Sequence, residues 1–404
     1  MFIRDASRRR PGGAVRALAL LAALAGLPAA IGPAGAQPAP AAAQPGPAAA
    51  QPAPAAAAPS FRVDPFWPKP LPNNWIIGAV SGVAVDRHDN IWIIHRPATL
   101  AARQLLAEKN PPETECCVRA PPVLVFDQEG NLLRHWGGPG QGYEWPQSEH
   151  GIYVDGEDNV WLAGNGERDD QILKFTTDGR FLMQIGRSGR STGNADTANL
   201  HRPADVEVDL QAREVFVADG YGNRRVIVFN SDTGAYKRHW GAYGNAPEDD
   251  GIAAYGTRTA YDPDRPPSRQ FASPVHCVRL TRDGLVYVCD RTNDRYQVFR
   301  RDGTFVSEHF IAPRTRLNGT VADLVPSRDE GQMFLFSVDN SNGVARVIRR
   351  ADGTVLDTFG RPGRYAGQFH VPHNVAIDNR GNLYVTEVDT GQRVQRFVRA
   401  EAAR

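Results

Sequence analysis

Six times along the chain, a short apolar segment ends in a small polar residue and is followed, across a turn of a few residues, by a second apolar segment. The first segments are SGVAVD ending at Asp86, HGIYVD at Asp155, ADVEVD at Asp209, HCVRLT at Thr281, ADLVPS at Ser327 and HNVAID at Asp378. NIWII, NVWLA, EVFVA, LVYVC, QMFLF and NLYVT follow them in turn, then third segments such as PVLVF, RVIVF and RVQRF. Most units close with a polar turn and a fourth segment ending in HWG, QIG or TFG. Apolar alternation bounded by Asp, Asn and Gly turns reads as strands with one buried face. A four-stranded unit repeated at this period cannot bury its faces alone. It predicts an all-β fold, a six-bladed β-propeller over residues 61–404 in which the first strand of each blade lines a central channel. Little more than AEAAR remains after Val398, so a strand within Phe61 to Trp67 is expected to complete the last blade and remove the open sheet edge.

The residues before the propeller follow other rules. Residues 1–36 combine a basic start (Arg8, Arg9, Arg10), an apolar run from Ala14 to Ile31 and a small-residue Ala34-Gly35-Ala36 site, the pattern of an export signal. Residues 37–60 are nearly all Ala, Pro, Gln and Gly, a composition that predicts an extended linker. No later run is long and apolar enough to span a membrane, and a periplasmic or secreted protein is expected, as a monomer. The net charge of +1 excludes a nucleic-acid footprint. Four cysteines in an exported chain permit disulfides; Cys277 and Cys289 flank one predicted hairpin, while the adjacent Cys116 and Cys117 leave their pairing open. The longest departures from the repeat, Pro97 to Pro121, Arg187 to Leu200 and Ala242 to Gln270, are expected to wall a pocket.

Function enters through one column of the repeat. Aligned on their terminal Asp, Thr or Ser, the first strands carry Ser81, His150, Ala204, His276, Ala322 and His373 five places earlier. Histidine occupies alternate blades, so three imidazoles are expected at one height around the axis. Three neutral imidazoles suit Zn²⁺ and leave a fourth position for water or substrate, the pattern of a catalytic site and not of a closed structural one. Residues just after the second strands should crown this column, which brings in Arg96, Gly220 with its neighbour Tyr221, and Arg291. Paired guanidiniums suit a carboxylate, and a phenol near Zn²⁺ and Arg⁺ is expected to ionise readily enough to act as a base.

The repeats, with their VAVD, GNxYV and NRRVIVF elements, resemble NHL-repeat propellers over residues 75–399. With the column in place the chain also resembles peptidyl-α-hydroxyglycine α-amidating lyase. The family's DGY-x-N-x-R motif is present as Asp219-Gly220-Tyr221-Gly222-Asn223-Arg224, and its arginine segments match WIIHR at Arg96 and CDRTNDR at Arg291. The resemblance implies metal ligands His150, His276 and His373, catalytic Tyr221, Arg96 and Arg291, and cleavage of a carbinolamide N–C bond to an amide and glyoxylate. The substrate implied is a small molecule or peptide bearing a carboxylate. A structural Ca²⁺ is also implied, although Asn374 stands where the family carries its calcium aspartate and Val371 where it carries a methionine. Two other readings stand beside it, a lactonase-type propeller hydrolase, whose metal sites are built from Glu, Asp and Asn, and a non-catalytic propeller that binds a peptide or glycan.

Overall fold

A computed structural model describes residues 57–249, 262–316 and 318–400. The export signal expected at 1–36 and the linker expected from residue 37, except for 57–60, lie outside the described residues, as does 250–261 of the third inserted segment. Six four-stranded antiparallel sheets follow one another along the chain. Their inner strands are Ala79–Val85, Glu149–Val154, Asp205–Asp209, Val275–Leu280, Asp323–Pro326 and Pro372–Ile377, in blades 1 to 6. Blade 6 takes its outermost strand, Phe61–Asp64, from the other end of the fold, pairing Phe61 with Arg399 and Val63 with Phe397. The ring is therefore closed by hydrogen bonds between the two ends of the described chain.

Local chemistry explains why the repeat folds. In blade 1 one oxygen of Asp86 accepts the backbone N–H groups of His88 and Asn90, at 2.8 and 2.9 Å, and the other accepts the indole N–H of Trp92 at 2.9 Å. Asp155 treats Glu157, Asn159 and Trp161 in the same way, and Asp378 treats Arg380, Asn382 and Tyr384. A single carboxylate thus caps the turn and satisfies the polar atom of the large aromatic behind it, which lets that ring be buried without a lost hydrogen bond. The sharp turn needs a left-handed residue, supplied by Asp89 and Asp158 at φ 62° and by Gly284 and Gly381 at 81° and 84°.

Six apolar clusters fill the six interfaces between neighbouring blades. The cluster that joins blade 6 to blade 1 includes Val80, Ile93, Ala376 and Tyr384, with Trp67 laid against Phe126 and Tyr384. Each blade buries one face on each neighbour, so the ring has no free sheet face at its interfaces. Cys277 and Cys289 stand opposite each other in the first hairpin of blade 4 and are disulfide-bonded. Cys116 and Cys117 are bonded to each other in the long segment between the second and third strands of blade 1. No helix among the described residues is long and apolar enough to cross a membrane.

Candidate metal centre on the propeller axis

The three column histidines meet. Their ring centroids lie 5.0, 4.8 and 4.7 Å apart pairwise, and ligand atoms of all three fall within 4.8 Å of one another. What aims them is the other half of the column. His150 Nδ1 lies 2.7 Å from the backbone oxygen of Ala204, His373 Nδ1 lies 2.9 Å from that of Ser81, and His276 Nδ1 bonds that of Ala322. Every histidine therefore donates Nδ1–H to the column residue of the next blade, which fixes the tautomer and turns Nε2, as an acceptor, toward the axis.

Tyr221 completes the cluster. Its hydroxyl lies 3.0 Å from Nε2 of both His150 and His276, and His276 Nε2 lies 3.2 Å from His373 Nε2. Three acceptor nitrogens and a phenolic oxygen converge with one hydroxyl proton among them, so the arrangement is short of donors and suits a cation. Tetrahedral zinc with Zn–N of about 2.0–2.1 Å places its nitrogens about 3.3 Å apart, close to the 3.2 Å between His276 and His373 Nε2. Burial drives all three imidazoles toward the neutral form that ligates metal. His150 and His276 titrate well below the ordinary range and His373 is pushed down to about 3, with the charge of Arg291 acting in the same direction on all three and that of Arg96 on His150 and His373. The donor set fits zinc. The other grouping of such residues among the described residues contains disulfide-bonded Cys277 and Cys289, whose sulfurs are already committed.

The loop that carries Tyr221 is held by its own motif. Asp219 and Arg225 form a fully buried pair at 2.8 Å, and Asp219 also accepts Asn223 Nδ2 and the backbone N–H of His201. Asp290 and Arg295 repeat the pair in blade 4 under the turn that begins at Arg291. Gly220 allows the loop to lie against blade 4, where a Cβ would come within 2.0 Å of the Val275 oxygen. The Arg291 guanidinium sits 5.7 Å from the Tyr221 ring centroid with Nη1 3.4 Å from the hydroxyl. Arg96 ends the second strand of blade 1; its Nε donates to the Glu149 oxygen at 2.7 Å and its Nη2 to Asn165 Oδ1 at 3.1 Å. Thus His150, His276, His373, Tyr221 and Arg291 are in direct contact, and Arg96 is fastened to the residue before His150.

Sequence reasoning passed over Asn165 and Arg202. Asn165 binds Arg96 through its side chain and accepts Arg202 Nε on its backbone oxygen at 2.9 Å, while the Arg202 oxygen accepts Tyr221 N–H at 3.2 Å. Arg202 stands two places before Ala204, and a reading of that second column, Ala79, Ser148, Arg202, Pro274, Thr320 and Val371, singles it out as the one charged member. Asn374 does not fit a calcium ligand. Its Oδ1 lies 2.6 Å from His373 Nδ1 and its Nδ2 donates to Asp323 at 3.0 Å, so both ends of the amide are committed.

Fold and site together define a six-bladed NHL-type propeller with a three-histidine cluster on its axis. In sequence it is related to amidating lyases and NHL-repeat proteins. It is 27% identical over 361 residues to peptidyl-alpha-hydroxyglycine alpha-amidating lyase 1 of Drosophila melanogaster, covering 84% of this chain and 60% of that protein. It is 24% identical over 349 residues to NHL repeat-containing protein 3 of Mus musculus, covering 84% of each. Against peptidylglycine alpha-amidating monooxygenase of Rattus norvegicus it is 26% identical over 327 residues, 78% of this chain but 30% of that one. The chain thus spans less than two thirds of the two amidating enzymes. No family model matches it. Among solved structures a streptogramin B lyase superposes with a TM-score of 0.50 at 11% identity, over 84% of this chain and 98% of that one, a likeness of fold.

Proposed function

We propose that the protein is a zinc-dependent carbon–nitrogen lyase that cleaves a carbinolamide bearing a carboxylate into an amide and glyoxylate. The observation that carries this reading is the Tyr221 hydroxyl, 3.0 Å from two metal-facing imidazole nitrogens and 3.4 Å from Arg291 Nη1. In a substrate R–CO–NH–CH(OH)–COO⁻ the C–N bond breaks with its electron pair left on nitrogen, and the O–H pair becomes the new C=O. One proton must leave the hydroxyl and one must reach the nitrogen. Tyr221, ionised, takes the first and returns it to the amide nitrogen, so the tyrosine ends as it began. Arg291 stabilises negative charge on the phenolic oxygen, and Arg96 and Arg291 hold the substrate's carboxylate and oxygen atoms. His150, His276 and His373 would hold Zn²⁺, which would supply Lewis acidity toward the substrate hydroxyl.

The two disulfides fit an oxidising compartment, and with the basic-apolar start of the chain they support export to the periplasm or the exterior. The reading is tested by a glyoxylate-release assay on α-hydroxyglycine compounds with zinc-loaded protein. Release by the wild type and its loss in Tyr221→Phe, with zinc retained, is the expected result. Undiminished turnover in that variant sinks the assignment of Tyr221, and no release from any carbinolamide sinks the lyase.

A further inference from the structure

The residues that follow the histidine column build a second buried cluster. Asp205, Asp323 and Asn374 come directly after Ala204, Ala322 and His373, and Arg279 reaches the two aspartates from the inner strand of blade 4. Arg279 Nη2 lies 2.7 and 2.9 Å from the two oxygens of Asp323, Nη1 bonds Asp205, and Glu207 stands 3.9 Å away. Asp323 also accepts Asn374 Nδ2 and the backbone N–H of Val375, both at 3.0 Å. All four of Asp205, Arg279, Asp323 and Asn374 are buried. One guanidinium thus joins blades 3, 4 and 5 directly, and blade 6 through Asn374.

The chemistry of this cluster is that of a cation site whose cation is a side chain. Ca²⁺ asks for six to eight oxygens at about 2.3–2.6 Å, drawn largely from carboxylates and carbonyls. Here the carboxylates of two inner strands face a planar fork of fixed positive charge. The order of the Asn374 amide follows from its partners. Asp323 accepts only, so Nδ2 must face it, and Oδ1 is left to receive the Nδ1–H of His373 at 2.6 Å, which reinforces the tautomer that aims Nε2 at the axis.

We infer that Arg279 is the resident structural cation of the axial channel, taking the place of the calcium expected from family resemblance and positioning His373 through Asp323 and Asn374. Only the metal-binding role of His373 rests on the proposed function; the channel can be read without turnover. Zinc-loaded wild type, dialysed free of calcium, should bind no Ca²⁺ by isothermal titration calorimetry and melt at the same temperature with and without millimolar Ca²⁺. Arg279→Met should melt lower and bind zinc about tenfold more weakly, the usual effect of losing a partner behind a ligand, with Arg279→Lys between it and wild type. Stoichiometric Ca²⁺ on the wild type, or a rise in its melting temperature with Ca²⁺, overturns the inference, as does an Arg279→Met protein with unchanged melting. If Arg279→Met does not fold, the wild-type calcium measurements still decide. A protein that releases no glyoxylate yet passes them leaves this inference standing and removes the lyase.

Discussion

His373 Nδ1 lies 2.9 Å from the backbone oxygen of Ser81, 292 positions away in the chain. The contact joins blade 6 to blade 1, so the closure that completes the ring also orients the third candidate ligand. The partner is a main-chain oxygen, and this separates two kinds of substitution. His150→Ala, His276→Ala and His373→Ala should each abolish stoichiometric zinc in metal analysis of the purified protein. Ser81→Ala should keep it, because the Ser81 hydroxyl points instead to the Ile94 oxygen at 3.4 Å. Zinc loss in Ser81→Ala would count against the main-chain account.

Gly220→Ala should damage turnover without removing the histidines. Its new Cβ would meet the Val275 backbone at 2.0 Å from oxygen and 2.3 Å from nitrogen, and backbone cannot step aside as a flexible side chain can. The loop must move and carry Tyr221 with it. A fall of at least about 100-fold in turnover, the scale of a lost acid–base group, with zinc content unchanged is the expected result.

Asp219→Ala leaves Arg225 buried without its carboxylate. Both residues are fully buried, and breaking such a pair costs about 3–5 kcal/mol. Denaturant melts should show a loss of that order. Double substitution of Asp219 and Arg225 by apolar residues should recover part of it, since the penalty comes from the uncompensated charge.

Arg202→Met tests the residue that sequence reasoning missed. Arg202 is tied to Tyr221 through the backbone and to Arg96 through Asn165. Loss of the charge-assisted bond that steadies Asn165, and through it Arg96, should raise KM about tenfold with kcat nearly unchanged. An equal fall in kcat would move Arg202 into the machinery around Tyr221.

Glu207 gives the channel a pH signature. Burial raises its carboxyl from 4.5 to about 7 against the opposing pull of Arg279. A raised carboxyl binds its proton more tightly in the folded state. Its contribution is therefore present below pH 4.5 and is lost as pH rises through about 7. Glu207→Gln, which mimics the protonated acid, should melt like wild type at low pH and above it at pH higher than 7, by about 3 kcal/mol at most. Parallel melting curves across this range would contradict the assignment.

Much of this protein was legible in its sequence. The blades could be read because strand alternation and the Asp-capped turn are properties of segments only a few residues long, as Asp86 with Asn90 and Trp92 illustrates. The repeat then turned three distant histidines into a column, since equal places in equal units fall at equal heights. Tertiary structure decided what the column could do. The carbonyls that aim the imidazoles belong to Ala204, Ala322 and Ser81, 54, 46 and 292 positions from the histidines they orient. Arg279 bridging Asp205 and Asp323, and Arg202 reaching Arg96 through Asn165, were equally hidden. Propensity and pattern act along the chain, whereas a side chain's hydrogen-bond partners are set by whichever neighbours the closed ring brings to it, and no local signal records them.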